Sequence, residues 1–81
     1  MRVTVHLFGH YSDVFGGEPV ELQLPPGATV RDVAVQLAKR DSRLASITEH
    51  CRFALDEEYT TLDAVVTDGS VIAALPPMSG G

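Results

Sequence analysis

The sequence predicts an α+β domain with a mixed sheet of four to five strands packed on one main helix. Three observations carry that expectation. Residues 2–8 and 19–24 alternate apolar and polar side chains with the period of two of a half-buried strand. Residues 30–40 repeat their apolar positions at helical spacing. Residues 71–75, VIAAL, are a further β-type run that follows an Asp68-Gly69 turn signal.

In RVTVHLF, Val3, Val5 and Leu7 share one face, and Arg2, Thr4, His6 and Phe8 share the other. GHYSDVFGGE follows, where Tyr11 to Phe15 has room for one helical turn and Gly16-Gly17 marks a turn. PVELQL then sets Val20, Leu22 and Leu24 on one face. The two runs read as an antiparallel hairpin with a loop longer than the commonest ones. PPGAT breaks the pattern, Thr29 is a good N-cap, and Asp32 at the third helical position suits the helix dipole. Val30, Val33, Ala34, Leu37 and Ala38 form the apolar stripe of the helix, and Lys39 and Arg40 sit at its favourable C-terminal end. DSRLASITEH reads as a short helix or a loop, CRFAL as a candidate strand, and DEEYTTLDAVVTDGS as a turn-rich connection. The order is β-β-α-β-β with short extras, a domain over residues 1–75 followed by an extended tail over 76–81.

Phase along the strands has a consequence for the surface. With Val3, Val5 and Leu7 facing the helix, Phe8 points to the opposite, open face. With Ile72 and Ala74 in the core, Val71, Ala73 and Leu75 join Phe8 there. If the first and last strands are neighbours, Phe8 and Leu75 lie close together and exposed, and Tyr59 reaches them from the preceding loop. Exposed apolar clusters of this kind mark protein interfaces, although single surface apolars are also ordinary.

Composition narrows the function. A chain of 81 residues makes one domain, with 44% hydrophobic and 21% charged residues, which fits a globular protein. No apolar run approaches the roughly 20 residues needed to cross a bilayer, and the start lacks a signal-peptide pattern, so a cytoplasmic location is expected. The formal net charge is −5 with six Lys and Arg in all, which disfavours a phosphate backbone as partner and suits a basic protein or simple solubility. Cys51 is the only cysteine, which excludes an internal disulfide and a thiolate-held iron–sulfur cluster; it reads as a small apolar filler near a strand start. His6, His10 and His50 lack the spacing of a metal set, and Asp56-Glu57-Glu58 reads as a solvated acidic turn.

The tail carries the sharper chemistry. Pro76 and Pro77 cannot continue a sheet ladder and bias the chain to an extended path, and the six residues 76–81 reach at most about 20 Å. Met78 offers one adaptable apolar contact. Gly80 and Gly81 have no Cβ, so a narrow channel can close around bare backbone and receive an ionised terminal carboxylate. That carboxylate becomes an acyl donor only after activation, most simply as a mixed anhydride with AMP. A frayed end is the plain alternative.

The element order, the length and the Gly-Gly end together resemble the ubiquitin-like β-grasp sulfur carriers, above all the MoaD family, the small subunit of molybdopterin synthase. The resemblance spans the whole chain and rests on LFGHYSDVFG, on FALDEEYTTLDAVVTDGSVIAALPPMSGG and most of all on TDGSVIAALPPMSGG. It implies that Gly81 is adenylated by a ubiquitin-activating-enzyme-like protein using Mg-ATP and converted by a sulfur donor to a thiocarboxylate. The tail residues Pro76, Pro77, Met78, Ser79 and Gly80 would then enter a large synthase subunit of MoaE type, where the sulfur passes to precursor Z. The chain itself would bind no cofactor or metal, would meet neither nucleic acid nor membrane, and would form a heterotetramer of two small and two large subunits with the active site in the large one. Phe8 matches the family's partner-facing aromatic, and Leu75 and Tyr59 would complete that patch. Two departures stand out: Asp56 where many members have Asn, which loses or alters a side-chain amide hydrogen bond, and Leu75 in place of an aromatic. A carrier for thiamine or cysteine biosynthesis and a ubiquitin-like protein modifier remain the alternatives.

Overall fold

The computed structural model describes residues 1–77. Strands β1 (Arg2–Leu7), β2 (Val20–Gln23), β3 (Arg52–Leu55), β4 (Glu58–Thr60) and β5 (Val71–Leu75) form one sheet in the order β2-β1-β5-β3-β4. Helix α1 (Val30–Arg40) lies on one face of it, and a short α2 (Ile47–His50) and two 3-10 turns, Gly9–Phe15 and Ser42–Leu44, fill the connections. The expected α+β architecture is therefore present with five strands. DSRLASITEH resolves into the second 3-10 turn and α2, and the long hairpin loop holds the first.

The alternation read in β1 and β2 is the register of the sheet. Val3 pairs with Leu22 and Val5 with Val20 in an antiparallel ladder, and all four are buried. The central contact of the sheet is parallel: Val5 lies beside Ile72 and Leu7 beside Ala74. Two bonds pin that pairing at its start, with the Arg2 amide donating to the Asp68 carboxylate at 2.8 Å and the Gly69 amide donating to the Arg2 carbonyl at 2.8 Å. The Asp-Gly turn thus fixes how far β5 slides along β1, and with it where the tail leaves.

Helix α1 starts on a reciprocal cap. The Asp32 amide donates to the Thr29 hydroxyl, and the Asp32 carboxylate accepts from the Thr29 amide at 2.9 Å, which satisfies two otherwise orphaned donors. Val30, Val33, Ala34 and Leu37 are buried against Val3, Val5, Phe53, Ile72 and their neighbours, with Leu44 and Ile47 closing one end of the core. Beyond the helix, Asp41 accepts from the Arg43 amide and guanidinium, and these bonds hold its carboxyl well below the usual carboxylate range, at about 2.

β4 differs from expectation, because the sequence placed these residues in a turn-rich connection. Leu55 pairs with Glu58, so only Asp56 and Glu57 turn the chain, and both have positive φ, 49° and 72°. This is the geometry of a tight two-residue hairpin, usually built with Asn and Gly. Its consequence is that Tyr59 stands on a strand at the sheet edge, paired with Ala54, and not on a loop.

Candidate functional site

The sheet has two faces, and only one is covered by α1. On the other, the phase of the strands gathers His6 and Phe8 from β1 and its end, Ala73 and Leu75 from β5, Arg52 and Ala54 from β3, and Tyr59 from β4. Register explains who meets whom: Arg52 is opposite Leu75, and Ala54 lies between Ala73 and Tyr59. The Phe8 amide donates to the Ala74 carbonyl at 3.2 Å, so Phe8 is held beside β5 although it lies one residue past β1. The adjacency of Phe8 and Leu75 expected from phase is present. Phe8 is 45% and Tyr59 68% exposed, while Leu75 is only half-buried.

These residues line a shallow groove of about 560 Å³ whose walls are Phe8, Gly9, Arg52, Tyr59, Leu75, Pro76 and Pro77. Two of its members were not assigned a role from the sequence. Gly9 has φ +62°, and a Cβ there would lie 2.5 Å from Pro76 Cγ. Real Cβ atoms do not approach so closely, so the first tail residue is seated on a bare backbone position that only glycine supplies. Arg52 places its guanidinium 4.9 Å from the centre of the Tyr59 ring, a cation–π arrangement. The imidazole of His6 stacks beside Phe8 with centroids 6.5 Å apart.

The rest of the expected site divides plainly. Pro76 is half-buried at the groove and Pro77 is exposed beside it. Met78, Ser79, Gly80 and Gly81 lie outside the described residues. The Asp56 carboxylate accepts from the Val71 amide at 2.9 Å, an acceptor role that an Asn oxygen fills equally, while the Asp56 backbone amide donates to the Val71 carbonyl at 2.8 Å. Cys51 is half-buried against the core, and burial pushes its thiol up to about 11, which keeps it neutral at ordinary pH. Among the described residues no set of three His, Cys, Asp or Glu side chains could hold a metal ion, and no helix is long and apolar enough to cross a membrane. Among the described residues the groove offers apolar and aromatic surface and one cation.

Residues 5–81 match the ThiS family. The chain belongs to that family. At the level of whole sequences, it is 31% identical to the molybdopterin synthase sulfur carrier subunit of Arabidopsis thaliana, an alignment covering 100% of this chain and 84% of that protein. Among solved structures, SAMP1 of Haloferax volcanii superposes with a TM-score of 0.87 at 25% identity, covering both chains completely. A complex of subunits 1 and 2 of molybdopterin-converting factor from Helicobacter pylori contains a chain of the same fold, with a TM-score of 0.71 at 24% identity over 100% of both chains. The family match runs through Gly80 and Gly81.

Proposed function

We propose that this protein is the sulfur carrier subunit of molybdopterin synthase and that its working atom is the terminal carboxyl carbon of Gly81. The observation that carries the reading is the full-length likeness to a named sulfur carrier subunit, joined to a family match that reaches Gly81. In this reading the Gly81 carboxylate attacks the α-phosphorus of ATP held with magnesium by a ubiquitin-activating-enzyme-like partner, and pyrophosphate leaves. Sulfide-level sulfur, delivered as hydrosulfide by a sulfur donor, then attacks the acyl carbon, the acyl–phosphate bond breaks, and AMP and a proton leave, which yields the thiocarboxylate. Each step is an acyl or phosphoryl substitution, and the carrier supplies only the carboxylate and a narrow approach.

The open-face groove supplies the second half of the function. The carrier docks by Phe8, Tyr59 and Leu75 on a large subunit of MoaE type, and Pro76, seated on Gly9, directs the tail into that subunit's pocket, where precursor Z takes the sulfur. The active site, and the tetramer of two small and two large subunits, belong to the assembled synthase, a cytoplasmic enzyme in this account. The chain of the same fold in the Helicobacter pylori complex of subunits 1 and 2 supports a large-subunit partner. Adenylation is tested by pyrophosphate release with the activating enzyme and ATP. Wild-type protein supports release, and a variant with one residue appended after Gly81 folds normally and supports none; equal release by both would overturn the mechanism.

A second reading is favoured by the complete superposition on SAMP1, a small archaeal modifier protein. In that case Gly81 forms isopeptide bonds to lysines. Higher-mass conjugates in cells that vanish when Gly81 is deleted would identify it.

A further inference from the structure

We propose that Arg52 is a specificity-determining anchor of the docking groove and that the surface it meets presents a single carboxylate set among apolar side chains. The proposal rests on the reading of the groove as the docking site. Among the described residues that line the groove Arg52 is the one charged residue, and its neighbours there are aromatic, aliphatic, glycine or proline. Most other cations among the described residues are engaged: Arg2 with Glu21, Arg31 with Asp63, Arg43 with Asp41, and Arg40 with the Glu21 carbonyl. Arg52 has no ion pair or side-chain hydrogen bond among the described residues, and its guanidinium is held by the face of Tyr59.

That arrangement is selective in three ways. The Tyr59 face holds the guanidinium in place, and no side-chain hydrogen bond among the described residues uses its N–H groups, which suits two-point recognition of a carboxylate. The pairing across β3 and β5 sets Arg52 opposite Leu75, so a bound carboxylate would sit beside the point where the tail leaves the sheet. The isolation of the charge on a chain of net charge −5 argues for one anionic side chain within an apolar protein surface; a polyanion would need several cations together. A large subunit lacking the carboxylate would bury an unpaired guanidinium on docking, so Arg52 discriminates against it as well as favouring its match.

The test is calorimetric titration of the carrier with the large synthase subunit of the same organism, using wild type, Arg52→Gln, Arg52→Lys and Phe8→Ala. Arg52→Gln should weaken binding by about 30-fold, the loss typical of removing one partner of a charge pair buried on association, with a melting temperature lowered by no more than a few degrees, the size of one exposed cation–π contact. Arg52→Lys should recover only part of it. If Phe8→Ala weakens binding and Arg52→Gln does not, the anchor is refuted while the docking surface stands. If neither matters, the groove itself is not the docking site. If Arg52→Gln slows ATP-dependent adenylation but leaves large-subunit binding intact, the group recognised is a phosphate in the activating enzyme and the proposal fails.

Discussion

Replacing Gly9 by Ala separates what the tail's exit contributes from what the backbone contributes. Gly9 has φ +62°, and Ala in that region costs about 1–2 kcal/mol. The smaller entropy loss of Ala on folding offsets about 0.4–1 kcal/mol of that. A second cost is specific to the site, since the new Cβ would sit 2.5 Å from Pro76 Cγ and 3.4 Å from its Cδ, so Pro76 must move. Gly16 is the control: its φ is +69°, and a Cβ there meets nothing within 4 Å. Gly16→Ala should therefore lose only the net backbone strain, about 0.5–1 kcal/mol. Gly9→Ala should lose about 1 kcal/mol more, the usual lower range for forcing atoms into filled space. At about 4–8 °C per kcal/mol for a domain of this size, the two melting temperatures should differ by a comparable amount. The variant Gly9→Ala with Pro76→Ala, which removes Cγ, should regain that difference in stability. It should not regain sulfur transfer to the large subunit, because the tail's direction is lost with the proline. Identical melting temperatures and transfer rates for Gly9→Ala and Gly16→Ala would refute the role of the Gly9–Pro76 contact.

Other expectations follow from single residues. Phe8→Ala should weaken binding to the large subunit by about 1 kcal/mol or more in titration while leaving the melting temperature nearly unchanged, because the ring is half exposed on the open face. Leu37→Ala, in contrast, should cost about 2–5 kcal/mol in denaturant unfolding, since Leu37 is fully buried between α1 and the sheet. Cys51 should react slowly with iodoacetamide in the folded protein below its raised pKa of about 11, and rapidly in denaturant. The same shift has a sign for stability: the unfolded thiol ionises at lower pH than the folded one, so stability present below about 9 falls as pH rises from there towards 11.

Much of this architecture is legible in the chain because local pattern and tertiary packing agree. The alternation of β1, β2 and β5 and the Thr29–Asp32 cap are local signals, and the sheet and helix use each of them as read. Phe8 and Leu75 could be placed on one face from phase alone, since a period of two leaves no other choice once the core set is named. β4 was not legible as a strand. It has three residues, and its hairpin turns on Asp56 and Glu57, which hold positive φ without a glycine to advertise it. Tyr59 was consequently placed with the right neighbours for an incomplete reason. Arg52 was missed because its partner is set by the β3–β4 and β3–β5 registers, which are long-range facts. Gly9 stood inside a recognised motif, but nothing near it in sequence says that Pro76 will lie on it. Its glycine identity was the one available signal.

The central claim, that Gly81 carries sulfur, is tested most directly by intact-mass measurement of the protein purified from its own cells with its partner enzymes present. The account predicts a species heavier by about 16 Da, one oxygen of the terminal carboxylate replaced by sulfur in the acyl-substitution sequence, that disappears when Gly81 is deleted. A protein that never gains this mass while molybdopterin is being made would contradict it.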